Sequence, residues 1–260
     1  DGFIRASVLA LALDGNDLYV GGDFTKAGGL NAGYVARWDG AAWSGLYSGG
    51  KSIEPDGFGS VSDIVIVPNL EVPGSDVYFS GTFESAGGQV ANNIARWDGS
   101  QWHTLTEGSR VGVADGVTGM HVFDGALYVA TGFTFEGLES LGARVERWVL
   151  ADSKWESVGG VFSGDGDQPF DLFDYGGDLY VYGALTSNGG QAFRHLARWT
   201  GSKWVALGSG EAAGPDGLVF QVWPDATGFY VAGIFKEVDG ELSSGWARFV
   251  PALFWDSFEE

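Results

Sequence analysis

One phrase recurs five times along this chain, and the recurrence constrains the fold more than any other feature. It opens with an apolar residue, a Tyr, and Val or Phe, and this run closes on Gly. A Gly-rich stretch follows, then an Arg before an aromatic residue, and usually a second Trp a few residues later. The Tyr falls at Tyr19, Tyr78, Tyr128, Tyr180 and Tyr230, in steps of 59, 50, 52 and 50 residues. The Arg falls at Arg37, Arg96, Arg147, Arg198 and Arg248, in steps of 59, 51, 51 and 50. A fixed period of about 50 residues marks a repeat architecture built from one supersecondary unit. Five such units account for nearly all 260 residues, so the chain reads as a single domain, 1–260.

Each repeat reads as four short strands. The second strand is the plainest, at 17–22, 76–81, 126–132, 178–183 and 228–233, because β-branched and aromatic residues favour strand and Gly ends it. The first strand precedes it, at 8–13, 61–67, 117–123, 170–173 and 219–223. The third carries the Arg, and the fourth begins at Trp43, Trp102, Trp155 and Trp204. In repeats one and two Asp-Gly stands between third and fourth strands, a hairpin signal because Gly accepts the positive φ such turns need. In the fifth repeat Phe249 replaces the Trp, and Trp255 is the candidate start of the missing fourth strand. Repeated four-stranded units without helical periodicity predict blades, because radial repetition protects sheet edges. The expected fold is an all-β, five-bladed β-propeller of four-stranded antiparallel blades, closed as a ring. Its blades are expected at 1–54, 55–113, 114–163, 164–214 and 215–260.

The pattern Leu-Tyr-Val-Gly-Gly-x-Phe-x-x-Ala-Gly-Gly, followed by Ala-Arg-Trp-Asp-Gly-x-x-Trp, resembles the kelch-like propeller repeats of secreted bacterial proteins. Similar repeats occur in fungal surface proteins that mark cell polarity. Repeats one, two and four match closely, and three and five drift. The end, Leu-Phe-Trp-Asp-Ser-Phe-Glu, resembles the Phe-x-Asp-Gly-Phe-Glu tails of exported Gram-negative proteins, with Ser257 where Gly is usual. The resemblance implies an extracytoplasmic propeller and carries no activity. The chain opens at Asp1 without Met, which reads as a trimmed product of an exported precursor.

Charge narrows the partners. The formal net charge is −20, which argues against nucleic acid, whose binding depends on Lys and Arg neutralising phosphates. No apolar run approaches the length of a membrane helix, so no membrane insertion is expected. The chain has no Cys, which removes disulfides and thiolate metal sites. A monomer is expected, secreted, periplasmic or at the cell surface, with a protein or glycan as partner.

Each candidate residue has a plainer reading beside the functional one. Five of the 14 cationic residues are the repeated Arg. A site needs one or two copies and a fold device needs all, so each Arg is expected to be buried and paired across a blade junction. The repeated Trp either stack on sugars or fill space between blades, and regular recurrence favours filling. One first-strand position breaks the repeat. It holds Ala10, Asp63, Gly119, Asp171 and Gln221. If the first strand is innermost, Asp63, Asp171 and Gln221, with His121 nearby, form a candidate polar ligand site on the axis. The alternative is a water-filled channel without a ligand. The stretch Ser163-Gly-Asp-Gly-Asp-Gln offers Asp165 and Asp167 as a weak Ca²⁺ candidate, with an Asp-Gly turn as the alternative. No other cofactor is expected.

No Gly-x-Ser-x-Gly elbow or phosphate-binding loop is present. The leading expectation is therefore a secreted, non-catalytic propeller serving as a recognition or scaffold module. A carbohydrate-binding propeller using Trp at blade junctions is the alternative. A glycoside hydrolase using Asp63 and Asp171 is the third reading.

Overall fold

The computed structural model describes residues 6–54, 59–68, 74–133, 142–164, 166–208 and 213–250. Every regular element among them is a strand. The first sheet contains Val8–Asp14, Asp17–Gly22, Val35–Trp38 and Trp43–Gly45, hydrogen-bonded in chain order. The second contains Ser60–Pro68, Ser75–Thr82, Ile94–Trp97 and Trp102–Thr104 in the same order. The third is Gly116–Phe123, Ala126–Phe133, Arg144–Val149 and Lys154–Val161. The fourth is Gln168–Tyr175, Asp178–Ala184, Leu196–Trp199 and Trp204–Ala206. The fifth shows three strands, Leu218–Asp225, Gly228–Ile234 and Trp246–Phe249. Trp255, the expected start of its fourth strand, lies outside the described residues.

Register explains why the Tyr and the Arg keep nearly the same period. Tyr19 pairs with Arg37, Tyr78 with Arg96, Tyr180 with Arg198 and Tyr230 with Arg248, directly across the second and third strands. In repeats one, two and four the two Trp are also cross-strand neighbours, as Trp38–Trp43, Trp97–Trp102 and Trp199–Trp204. Their ring centroids lie 5.4, 5.2 and 5.1 Å apart, and such contacts add to plain area burial. The loop between them has four residues, not two. Asp39 Oδ1 accepts from the amides of Ala41 and Ala42, and Asp98 Oδ1 from those of Ser100 and Gln101. The Asp therefore closes the loop as an Asx turn, and the Gly behind it takes the positive φ.

A bulge interrupts the first strand. The register slips between Val8 and Ala10, Val61 and Asp63, Pro169 and Asp171, and Val219 and Gln221. The extra residues are Leu9, Ser62, Phe170 and Phe220. Bulging pushes the strand's first carbonyls onto the glycine three residues after the repeated Tyr. A Cβ on Gly81 would stand 2.1 Å from the Ser60 carbonyl oxygen, and one on Gly233 1.9 Å from that of Leu218. That Gly reads in sequence as the end of a strand; its role is to leave room for the bulge opposite.

The described residues fall into two compact units, with the division inside the third sheet. The first holds the described residues of 1–127, 133–141 and 148–155; the second holds those of 128–132, 142–147 and 156–260. In the first unit, Tyr19 and Val35 of the first sheet pack on Val61, Ile64, Val77 and Phe79 of the second. In the second unit, Phe173, Tyr180, Tyr182 and Leu196 of the fourth sheet pack on Val219, Phe229, Val231 and Phe249 of the fifth. Phe229 is fully buried, with ring centroids of Phe173 at 5.0 Å, Tyr180 at 5.4 Å and Phe249 at 5.2 Å. Burying one such side chain stabilises by about 1.5–3 kcal/mol. Both cores have one pattern: one face of a sheet rests on the opposite face of the next.

Candidate functional site

The four candidate ligand residues all lie on first strands. Asp63 and His121 belong to the first unit, Asp171 and Gln221 to the second. Asp63, Asp171 and Gln221 each follow a bulge residue directly, and the bulge explains what the two carboxylates do. A bulge frees a backbone amide from the ladder, and a buried free amide needs an acceptor. Asp63 Oδ1 accepts from the amide of Ile64 at 2.7 Å, and Asp171 Oδ1 from that of Leu172 at 2.8 Å. Asp63 Oδ2 accepts from the amide of Met120 in the third sheet at 2.6 Å. Within the first unit one carboxylate thus ties two neighbouring first strands. Burial pushes the Asp63 carboxyl up to about 6, against the opposing pull of these two amides. Asp171 Oδ2 accepts from the Tyr182 hydroxyl at 3.4 Å. His121 is half-buried and Gln221 exposed.

Residue-type reasoning passed over the bulge residues themselves. The Ser62 hydroxyl donates to the Val117 carbonyl at 2.9 Å, a second tie between the same two strands. Phe170 and Phe220 stack with centroids 5.8 Å apart and planes 26° apart, and Phe220 is exposed. The available signal was position, since each stands immediately before Asp171 or Gln221.

The Ca²⁺ candidate resolves differently. Asp165 lies outside the described residues. Asp167 Oδ1 accepts from the amide and hydroxyl of Thr186, at 2.9 and 2.8 Å. Its Oδ2 accepts from the amides of Gly164 and Ser187, at 2.8 and 3.3 Å. Four donors converge where a cation would need acceptors, so Asp167 works as a loop staple. Among the described residues no group of three or more His, Asp or Glu is placed to hold a metal.

The five Arg correct an expectation. They pair inside their own sheets, not across junctions. Arg37 meets Asp17 at 2.7 Å, Arg96 meets Asp76 at 2.8 Å, and Arg198 meets Asp178 at 3.0 Å. Arg147 meets Glu156 at 2.6 Å, and Arg248 meets Asp225 at 3.1 Å. All five are partly solvent-exposed. The cause is register: an Arg opposite Tyr reaches past the ring to an acid near the strand's end. Arg147 is the exception: Ala126 stands where repeats one, two and four have the Asp, so Nη1 donates to the Tyr128 hydroxyl at 3.1 Å while Nε and Nη2 turn to Glu156 on the fourth strand.

Most repeated Trp are core, as their recurrence suggested, and two of the fourth-strand Trp also join sheets. Trp102 Nε1 donates to the Leu46 carbonyl at 3.1 Å, and Trp204 Nε1 to that of Val158 at 3.1 Å. Trp97, Trp102, Trp148, Trp155 and Trp204 are buried; Trp223 and Trp246 are exposed. An open cleft of about 500 Å³ in the fifth sheet is lined by Asp216, Phe235, Lys236 and Ser244. The amides of Glu237 and Lys236 donate to Asp216 and hold its carboxyl below the usual carboxylate range.

No family model matches the chain, and no curated protein does. Several solved structures are similar to it. A GH74 xyloglucanase from Xanthomonas campestris matches over 85% of this chain and 34% of its own, with 16% identity and a TM-score of 0.51. A computationally designed protein matches over 87% of this chain and 55% of its own, with 14% identity and a TM-score of 0.48. The extracellular domain of a hybrid two-component system from B. thetaiotaomicron matches over 100% of this chain and 30% of its own, with 12% identity and a TM-score of 0.35. The chain thus spans between 30% and 55% of these proteins' lengths. At 16% identity the xyloglucanase likeness shows a common all-β fold and nothing of activity.

Proposed function

We propose that the five sheets are blades of a β-propeller of kelch-like type, and that the chain is a non-catalytic recognition or scaffold module acting outside the cytoplasm. One observation carries this reading: the carboxylates that the sequence offers for chemistry are engaged in holding the fold. Asp63 bridges two first strands through backbone amides, Asp167 staples a loop, and the repeated Arg are paired inside their sheets. The raised Asp63 carboxyl resembles a general acid in its titration alone, and a general acid must also face the bond it protonates. That favours the module over a glycoside hydrolase built on Asp63 and Asp171.

A carbohydrate-binding propeller is the second reading. Burial of Trp97, Trp102, Trp148, Trp155 and Trp204 takes most junction Trp away from it. The stacked Phe170–Phe220 pair beside Gln221 favours it, because an exposed ring beside an amide suits the apolar face and hydroxyls of a sugar. A glycan array with the purified chain, read beside a reducing-sugar assay on the glycans that bind, tests these readings. The module reading expects neither glycan binding nor new reducing ends. Binding without hydrolysis that Phe220→Ala abolishes would move the assignment to the second reading. Hydrolysis lost in Asp63→Asn would overturn both.

A further inference from the structure

The residue that leads into the third strand lies in the left-handed region in repeats one, two and four. It is Tyr34, Asn93 and His195, at φ of +62°, +69° and +57°. In the second sheet this residue is a fastener. The Asn93 amide donates to the Phe83 carbonyl at 2.7 Å, and its Oδ1 accepts from the Phe83 amide at 3.2 Å. In the fourth sheet His195 fills the same socket. Its amide donates to the Leu185 carbonyl at 2.8 Å, and its Nδ1 accepts from the Leu185 amide at 3.3 Å. The Gly81 and Gly183 amides donate to the carbonyls of Asn93 and His195, each at 3.0 Å. Leu185 is fully buried, so its amide has no solvent acceptor to turn to.

The two fasteners differ in one respect. An amide oxygen accepts at any pH, whereas Nδ1 accepts only while the imidazole is neutral. We propose that His195 is an acid-released latch on the loop between the second and third strands of the fourth sheet. Neutral, it holds the Leu185 amide; protonated, it sets N–H against N–H and leaves that buried amide without an acceptor. Burial holds the His195 imidazole below its ordinary range. A hydrogen bond to the Gly183 backbone and the carboxylates of Asp167 and Asp216 oppose that shift, and Arg194 adds to it. The opened loop binds the proton more readily than the closed one. The latch is therefore fully shut above about 6.5, the ordinary His value, and slackens as pH falls below it. Asp167 still holds Thr186 and Ser187, and Asn188 Nδ2 still donates to the Val161 carbonyl at 3.1 Å. Release thus loosens Leu185 without unfolding the sheet. The proposal is independent of whether the chain recognises a glycan or a protein.

The test is hydrogen exchange read by mass spectrometry, on the whole chain and on His195→Asn, from about pH 8 to about pH 5. Asn supplies the acceptor that Asn93 supplies in the second sheet, and it does not titrate. Dividing the parent's exchange rate by the variant's at each pH removes the intrinsic pH dependence of exchange. For residues 185–188 that ratio should stay level above about pH 6.5 and rise several-fold below it. For residues 83–86 it should stay level throughout. A level ratio at 185–188 across the whole range overturns the proposal, and so does an equal rise in both segments. Should His195→Asn fail to fold, the parent alone decides. Protection at Leu185 must then be lost at the pH where NMR shows the His195 ring titrating, and a different midpoint overturns the proposal.

Discussion

Asp63 carries one of the clearest energetic signatures at the scale of a single residue. Its carboxyl titrates near 6 in the folded chain, against roughly 3.9 when unfolded. Between those values the folded state binds more protons than the unfolded state, so this group adds stability as pH falls through the window and withdraws it as pH rises. NMR titration should place the Asp63 midpoint near 6. Chemical denaturation at about pH 4.5 and pH 7.5 should show the advantage of the parent over Asp63→Asn growing at the lower pH. A midpoint in the ordinary carboxylate range would remove this account. Arg96 makes the opposite case. Its pair with Asp76 is within the sheet and partly wet, so Arg96→Ala should cost about 1 kcal/mol or less, as exposed pairs do, and not the 3–5 kcal/mol of a broken buried pair. A loss of several kcal/mol in urea denaturation would restore burial across a junction.

At the scale of the element, the decisive object is the bulged first strand against its glycine. Gly81→Ala drives a Cβ to 2.1 Å from the Ser60 carbonyl oxygen, a backbone atom that cannot swing aside. It should cost well over about 1 kcal/mol, the range for Ala at a site whose backbone forbids it. Gly40 is the control: its φ is +94°, yet nothing lies within 4 Å of the added Cβ, so Gly40→Ala pays conformational strain alone, about 1–2 kcal/mol. Equal melting temperatures for these two variants would refute the steric account. The strands themselves were legible in the sequence, because alternation and the Tyr and Trp signals are local. First strands expected at 61–67 and 170–173 are found as Ser60–Pro68 and Gln168–Tyr175. The bulge was not legible. It adds one residue without a composition of its own, as Leu9, Ser62, Phe170 and Phe220 show. For the same reason Asp63 and Asp171 read as possible ligands when their near task is an amide next door. The partners of the Arg were hidden too, since reach past a Tyr ring depends on register and not on residue type.

For the whole molecule, net charge governs how copies meet in solution. The formal charge of −20 makes two copies of the chain repel one another. Salt screens that repulsion beyond about 8 Å at physiological strength. Chain order has a further consequence during synthesis. Each sheet is wired strand by strand to its neighbour in sequence, so hydrogen bonding within a repeat waits for no distant segment. An aromatic face such as that of Tyr180 is bare only until the next repeat has emerged. At a ribosomal pace on the order of 10 residues per second, that is roughly 5 seconds of stickiness per repeat.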